Sequence, residues 1–306
     1  MDAQRIAIDI GYGDTKVMAN GKLFKFPSAV SQVGESMLQL DFKSDNPIFE
    51  GIEYRVGSKA LMEAVATRGY LFLKRYSPLL IHNALLEAKF DLEAPIEIAT
   101  GLSIVNNLEA QNFLEIISNF TINQIQIKPR VFLFAQGQGL YYQSGLDKED
   151  RACVIDIGYN TLDFLVFENG KPRVDLCFAN KKGANLAITN LQKFLIKEFR
   201  VDFNEQEAKE VFVKKEIEIA GKKIDFSDVI NSIMQRYVRT ITDEVFSKAE
   251  DILSKTKNIV IGGGGAYFLK KEYLEDLHKA NYLFLDNPEY SNVLGYYKSA
   301  FKTKGV

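Results

Sequence analysis

The chain has 306 residues, 46% of them apolar and 25% charged, with a formal net charge of −2. That length supplies two cores of ordinary size, and the near-neutral balance provides no global basic field to recruit nucleic acid. Two cysteines and two histidines argue against a disulfide framework, a histidine-rich metal centre and a Ser-His-Asp triad. Cys153 and Cys177 lie in apolar runs and read as free thiols of a reducing cytosol. The N-terminus enters a strand within a few residues, so no signal peptide is expected, and no apolar stretch approaches the ~20 residues of a membrane-spanning helix.

In chain order, residues 5–30 predict a three-stranded meander that Pro27 ends. Residues 31–46 are polar and irregular and take no assignment. Residues 48–56 alternate as a strand, 58–68 read as a helix, and Ser77-Pro78 opens another helix with Pro78 in its first turn. Residues 96–99 form a short strand ending at Thr100-Gly101, 108–120 an amphipathic helix, and 122–134 one alternating strand. A short helix follows Gln136-Gly137-Gln138-Gly139, and residues 145–150 read as a linker.

The second half repeats the plan. A hairpin unit leads to a strand over 174–178, a helix from Gly183 to Phe199, a short helix over 204–212 and a hairpin turning at Ala220-Gly221. A long amphipathic helix over 228–253 precedes the apolar strand Asn258-Ile259-Val260-Ile261, four glycines and a further helix. A strand over 282–285 and a helix over 290–301 close the chain. Alternating strands and helices in both halves predict an α/β fold of two similar domains. The boundaries expected are 1–146, 147–288 and a C-terminal helix, 289–306, that returns to the first domain.

The pentapeptide Ile-Asp-Ile-Gly-Tyr occurs at residues 8–12 and again at 155–159, close to half the chain apart. Each copy follows an apolar run and leads into another that ends in Asn-Gly-Lys, at Asn20-Gly21-Lys22 and Asn169-Gly170-Lys171. Asn-Gly between apolar runs signals a hairpin, because a type I′ turn needs positive φ at both central positions. A hairpin with an Asp-x-Gly tip, present twice, points to two related domains serving one site.

In the first copy, Gly11 and Gly13 let backbone N–H groups approach a phosphate, and Lys16 can neutralise it; the alternative is a tight hairpin with a solvated lysine. The pattern is not a P-loop, since it lacks GxxxxGK[ST] and the helix that would follow. In the second copy, Thr161 is read as the hydroxyl that replaces the basic residue. Asp9 and Asp156, at the two strand ends, repel each other unless a cation lies between them, and Mg²⁺ on nucleotide phosphates would satisfy both. Equally, they are turn aspartates capping their own backbone. Gly262, Gly263, Gly264 and Gly265 cost conformational entropy that a closely approaching ligand would explain, and the helix start behind them favours anions. Gln136 can orient a water but cannot act as a general base near neutral pH; the alternative is a polar helix-start residue.

These segments, in this order, resemble the actin, sugar kinase and heat-shock chaperone ATPase superfamily over essentially the whole chain. IDIGYGDTK resembles its first phosphate loop, the Gln136 segment its first interdomain connection, IDIGYNTLD its second phosphate loop, and NIVIGGGGAYFL its adenosine motif. Within it, the chain is most similar to the ParM/StbA group of plasmid-segregating actin-like proteins. The pointers include Thr100-Gly101-Leu102, Ala135-Gln136-Gly137 and the ending Asn287-Pro288-Glu289-Tyr290-Ser291-Asn292.

The resemblance implies a ribonuclease H-like duplicated, actin-like fold with a nucleotide cleft between its domains. It implies a filament-forming, Mg²⁺-dependent ATPase, using ATP or GTP, in the cytoplasm and not on a membrane. Asp9 and Asp156 would hold Mg²⁺ through water, and Gln136 would orient the attacking water. Gly11, Tyr12, Gly13, Thr15 and Lys16 would face the β- and γ-phosphates, with Gly158, Tyr159, Asn160 and Thr161 opposite. Gly262–Gly265 would face the α-phosphate and ribose, with Tyr290 and Asn292 near the base. The partners implied are further copies of the chain and a DNA-binding adaptor of ParR type, so that DNA contact is indirect. A small-molecule kinase and a cell-shape or division filament are the alternatives on the same fold. Gln136 departs from the glutamate of some plasmid relatives, and Asp14 is an extra carboxylate beside the first loop.

Overall fold

The computed structural model describes residues 3–34, 45–65, 69–148, 151–219 and 221–301. The chain divides into two compact units, Met1–Leu146 with Leu285–Val306, and Asp147–Phe284.

The first unit opens with β1 (Gln4–Ile10), β2 (Asp14–Ala19) and β3 (Lys22–Pro27), an antiparallel meander. Asn20 and Gly21 take φ of 51° and 72°, the type I′ geometry that the Asn-Gly pair predicts. A second sheet holds β4 (Val30–Gln32), β5 (Ile48–Phe49) and β6 (Ile52–Val56), followed by a 3₁₀ turn at Gly57–Glu63. The strand predicted over 48–56 is therefore two strands, folded at Glu50-Gly51, both with positive φ. Of the helix predicted over 58–68, the described part is this 3₁₀ turn, and residues 66–68 lie outside the described residues, as do 35–44 of the unassigned stretch.

Helix α1 (Tyr70–Glu87) begins earlier than Pro78 predicts and carries that proline in its interior. Proline keeps a helical φ and forfeits one backbone hydrogen bond. Phe72, Leu73, Tyr76, Leu79, Leu80 and Leu85 are all buried, and their packing outweighs that loss. β7 (Ile96–Leu102) follows, then a 3₁₀ segment at Ile104–Glu109 and α2 (Ala110–Ser118), so the helix predicted over 108–120 is shorter, and Phe120 already belongs to a strand. The single strand predicted over 122–134 is three: β8 (Phe120–Ile122), β9 (Ile125–Ile127) and β10 (Arg130–Ala135). Asn123 and Gln124 both take positive φ, making a primed turn without glycine, and Pro129 then separates β9 from β10. α3 (Gln138–Ser144) ends this part.

The main sheet of the unit has the order β10-β7-β1-β2-β3, with β10, β7 and β1 parallel. β1 lies at its centre, and Ile6, Ala7 and Ile8 are fully buried, as a strand covered on both faces requires.

In the second unit, β11 (Ala152–Ile157), β12 (Leu162–Glu168) and β13 (Lys171–Pro172) repeat the meander, and Asn169-Gly170 turns with φ of 52° and 72°. Residues 174–176 form a 3₁₀ turn, and the strand predicted there begins only at β14 (Phe178–Asn180), which pairs with β12. Helices α4 (Asn185–Phe199) and α5 (Glu205–Lys214) follow, the latter opened by an Asn204–Glu207 capping box. β15 (Glu216–Ile219) and β16 (Lys222–Asp225) form the predicted hairpin; Ala220 of its turn lies outside the described residues. α6 (Ser227–Leu253) buries Ile230, Ile233, Tyr237, Ile241 and Val245 against the sheet side of the core. β17 (Asn258–Gly262) runs into a 3₁₀ turn at Gly264–Phe268, with α7 (Lys271–Leu277) and β18 (Asn281–Phe284) after it.

The sheet order β13-β12-β11-β17-β18, with β11, β17 and β18 parallel, is the order of the first unit repeated. Last, α8 (Ser291–Ala300) belongs to the first unit and packs on α3. Ideal Cβ atoms on Gly139 and Gly295 would lie 2.3 Å from the Asn292 carbonyl oxygen and 2.0 Å from the Gly139 carbonyl oxygen, so only glycine permits this approach.

Candidate functional site

In the first unit, β1 ends at Ile10 and the chain reverses through Gly11, Tyr12 and Gly13 into β2. Strand register sets Asp9 opposite Lys16. Asp9 is 5% exposed, and its Oδ2 lies 4.0 Å from Lys16 Nζ. The amide Nε2 of Gln136 donates to Asp9 Oδ1 at 3.1 Å. With the NH₂ used in this way, the amide oxygen is the group left to face a water. The Gln136 backbone N–H donates to the Leu102 carbonyl, which fixes the side chain's origin. An ideal Cβ on Gly11 would lie 2.7 Å from the Asp14 carbonyl oxygen and 3.1 Å from Lys16 Nζ. Asp9, Gly11, Lys16 and Gln136, four residues singled out in the sequence, therefore meet at one strand end.

Behind the turn, Ser28 acts as a clasp. Its hydroxyl donates to the Gly11 carbonyl at 2.5 Å, its N–H donates to the Gly13 carbonyl at 3.1 Å, and Thr15 Oγ1 shares a 2.8 Å hydrogen bond with it. Thr15 is fully buried, and its hydroxyl serves this clasp. Ser28 carried no sequence signal, since nothing in the spacing links it to the turn. Tyr12 is buried, and its hydroxyl accepts from Asn106 Nδ2 at 3.5 Å. Asp14, unexplained by the sequence, contributes its charge to Lys25. That ammonium donates to Glu289 at 2.5 Å, and its pKa is raised because Glu289 and Asp14 together outweigh burial, the largest single effect, which acts to lower it.

In the second unit, β11 ends at Ile157 and the turn Gly158–Thr161 enters β12. Register places Asp156 opposite Asp163, so the position held by Lys16 in the first copy is occupied here by Asp163. Thr161, taken from sequence as the counterpart of the lysine, instead occupies the position of Asp14. Both aspartates are buried, at 4% and 1% exposure. Two carboxylates facing across a strand pair are unfavourable unless something positive is shared between them. The carbonyls of Gly158, Tyr159 and Asn160 accept from the N–H groups of Ala184, Asn185 and Gly183, so the backbone oxygens turn towards the start of α4. Gly183 is required there, as an ideal Cβ would lie 2.4 Å from the Tyr159 carbonyl oxygen. The Tyr159 hydroxyl donates to Glu205 on α5 at 2.9 Å, and Asn160 Oδ1 accepts from Asn185.

The glycine run Gly262–Gly265 packs on the same strand end. Gly263 takes φ of 80°, and an ideal Cβ there would sit 2.4 Å from Asp156 Oδ1, while one on Gly265 would sit 2.2 Å from Ile157 Cγ2. Close packing on β11 thus accounts for two of the four glycines without a ligand. Gly264 is exposed and open. The segment behind is a 3₁₀ turn, so the anion-favouring α-helix start expected there is absent. A cavity of about 620 Å³ adjoins this segment, lined by Met234, Arg236, Arg239, Phe268 and Lys270. Its basic rim on α6 carried no signal, because charges three apart on a long helix normally mark a solvated face.

Of the last pair of expected residues, Asn292 is buried, and its Oδ1 accepts from the Gly137 N–H at 3.0 Å. It therefore holds the Gln136 segment in place within the first unit. Tyr290 stands beside Lys25. Among the described residues, no group of three or more His, Cys, Asp or Glu side chains is arranged to hold a metal ion. A hard cation would have at most the facing pair Asp156 and Asp163, or the lone Asp9, at its disposal, a sparse donor set that suits Mg²⁺ completed by water and phosphate oxygens. No described helix is long and apolar enough to cross a membrane.

Two family models match this chain. Residues 7–139 match the N-terminal domain of actin-like proteins, and residues 154–275 match the C-terminal part of the archaeal MreB-like actin homologues. An archaeal actin homologue of Thermoplasma volcanium is 24% identical over 330 aligned residues, covering 96% of this chain and 98% of that protein. The crystal structure of the archaeal actin homologue Ta0583 superposes with a TM-score of 0.78 at 21% identity, over 97% of this chain and 99% of that one. The same homologue in complex with ADP gives 0.77 at 20% identity, with equal coverage. A 15-stranded ParM filament from Clostridium botulinum gives 0.75 at 20% identity, over 98% and 99% of the two chains.

Proposed function

Because this chain belongs to the actin-like proteins, we propose that it is a nucleotide-driven filament protein, a Mg²⁺-dependent ATPase or GTPase of the cytoplasm. Its cargo in this reading is plasmid DNA, held through an adaptor of ParR type and not touched directly. The observation that carries the proposal is the Asp9 carboxylate, buried at a strand end and held by both Lys16 and Gln136. The solved ADP complex of one relative and the filament of another support it.

In this mechanism Gly11 gives the backbone room to approach the phosphates and Lys16 neutralises their charge. Asp156, with Asp163 opposite, attracts the cation, which when bound draws charge from the phosphate oxygens. Gln136, tethered to Asp9 through its NH₂, turns its oxygen to the attacking water and orients it. The cavity beside Phe268 takes the nucleoside end, with Arg236 and Arg239 at its rim. Nucleotide selects between assembling and non-assembling states by its differential affinity for them.

The test is high-speed sedimentation with Mg²⁺ and ATP, GTP, ADP or no nucleotide, with phosphate release followed in parallel. Pelleting with triphosphate alone, then disassembly as phosphate appears, is the expected result. In Gln136→Ala, turnover should fall roughly 10²-fold while nucleotide binding holds. A protein that stays soluble throughout would overturn the filament reading and leave the kinase alternative.

A further inference from the structure

Strand register places a third charged side chain in line with Asp9 and Lys16. Asp9 of β1 lies opposite Lys16 of β2, and Lys16 lies opposite Lys25 of β3, so the three share one face of the main sheet in the first unit. Two ammonium groups directly opposite each other on a strand pair repel. The chain answers with carboxylates. Lys16 Nζ stands 4.0 Å from Asp9 Oδ2, and Lys25 Nζ donates to Glu289 Oε2. Asp14, diagonal to Lys25 on β2, adds its charge.

An ion pair near the surface contributes little to stability by itself. Position 25 lies on the edge strand of the sheet, where an uncharged residue would pair with Lys16 without repulsion. The Lys25 side chain keeps 41% of its surface exposed, against 20% for Glu289. Glu289 belongs to the 3₁₀ turn Pro288–Tyr290 just before α8, and three residues on, Asn292 Oδ1 accepts from the Gly137 N–H. The carboxylate thus comes from backbone anchored independently of Lys25. It is Glu289 that holds the lysine, and not the reverse.

We propose that Lys25 is a second cation for the phosphates of a bound nucleotide, and that Glu289 competes with those phosphates for its ammonium group. The inference rests on the nucleotide reading above and deepens it, since that reading gives the phosphates Lys16 alone. A polyphosphate lying against Gly11 and Lys16 is one strand spacing, about 5 Å, from the line of β3. The flexible four-carbon stem of a lysine spans that gap, and the ammonium then exchanges one carboxylate for phosphate oxygens. The repulsion between Lys16 and Lys25 becomes an attraction for the ligand, and it favours a triphosphate over a diphosphate because the charge is larger.

Calorimetric titration of the full chain with Mg²⁺-ATP and Mg²⁺-ADP tests this in wild type, Lys25→Met, Lys25→Arg, Glu289→Gln and the double variant Lys25→Met/Glu289→Gln. Lys25→Met should weaken Mg²⁺-ATP binding about tenfold, the worth of one charge-assisted hydrogen bond, and Mg²⁺-ADP binding less. It should also flatten the dependence of affinity on salt, and Lys25→Arg should restore both. Glu289→Gln should tighten Mg²⁺-ATP binding, and that gain should vanish once Lys25 is replaced. Melting without nucleotide should stay close to wild type in all four variants, since neither side chain belongs to the core. Wild-type affinity in Lys25→Met would overturn the phosphate contact. An equal gain from Glu289→Gln with and without Lys25 would overturn the competition, since removal of a negative charge then explains it. A wild-type chain that binds neither nucleotide would instead sink the nucleotide reading itself.

Discussion

At the residue scale, strand register decides roles that spacing leaves open. Asp9 and Lys16 were legible because a carboxylate and a lysine flank a glycine turn, and the structure sets them opposite each other. The same register in the second copy puts Asp163, not Thr161, in the lysine's place. Counting from the shared aspartate gives that alignment, but the hydroxyl beside the turn attracted the assignment on chemical type alone. Thr15 and Asn292 carry a task that spacing does not show: both are buried and bonded to the backbone or side chains that hold the candidate site. His82 is a polar residue committed to the interior. It lies on the buried face of α1 and is 4% exposed, and burial pushes its pKa down from 6.5 to about 4. The unfolded chain therefore takes up the proton first as pH falls. The stability that neutral His82 contributes is complete above its unfolded pKa and is lost between that value and about 4. The loss amounts to up to ~3 kcal/mol. Urea unfolding from pH 7.5 to 4.5 should show this decline in wild type and a flatter profile in His82→Phe. Equal slopes in the two proteins would exclude His82 as the group responsible.

At the element scale, both Asn-Gly turns, the hairpin at Gly221 and the long helix α6 were legible, because positive φ and a sustained apolar stripe leave marks in sequence. Two kinds of element were not. α1 runs through Pro78, because its buried face repays the missing hydrogen bond, and local rules cannot weigh that burial. The turn at Asn123-Gln124 lacks glycine, so β8 and β9 merged with β10 into one apparent strand. The crossing of α3 and α8 was invisible for a different reason, being a contact between segments more than 150 residues apart that needs glycine on both sides. Gly295→Ala places a methyl against the Gly139 carbonyl, with backbone on both sides and no flexible side chain to yield. It should destabilise the first unit by about 1–3 kcal/mol. Since α8 also carries Asn292, the bond that fixes Gly137 should loosen and hydrolysis should slow as well. A wild-type urea midpoint in this variant would show that the two helices part without cost.

At the scale of the whole molecule, the repeated pentapeptide foretold the repeated sheet: one strand order, one antiparallel meander and one parallel extension occur in each unit. Duplication was legible because the turn chemistry was retained in both copies. The divergence between the copies is where function is read. One turn opposes its aspartate with a lysine and the other with a second aspartate, and in the proposed function the first serves phosphate and the second the cation. Ligand that binds only the folded chain raises stability by ~2.7 kcal/mol at a hundred times its dissociation constant. Mg²⁺-ATP, or Mg²⁺-GTP, should therefore raise the melting temperature of wild type by several degrees, and ATP with EDTA should raise it less. Asp9→Ala and Asp156→Ala should each lose most of that shift, although they alter different units, and each should retain wild-type melting without nucleotide to within a few degrees. If one variant keeps the full shift, the two turns do not serve a common ligand, and the division of labour between lysine and paired aspartates fails with it.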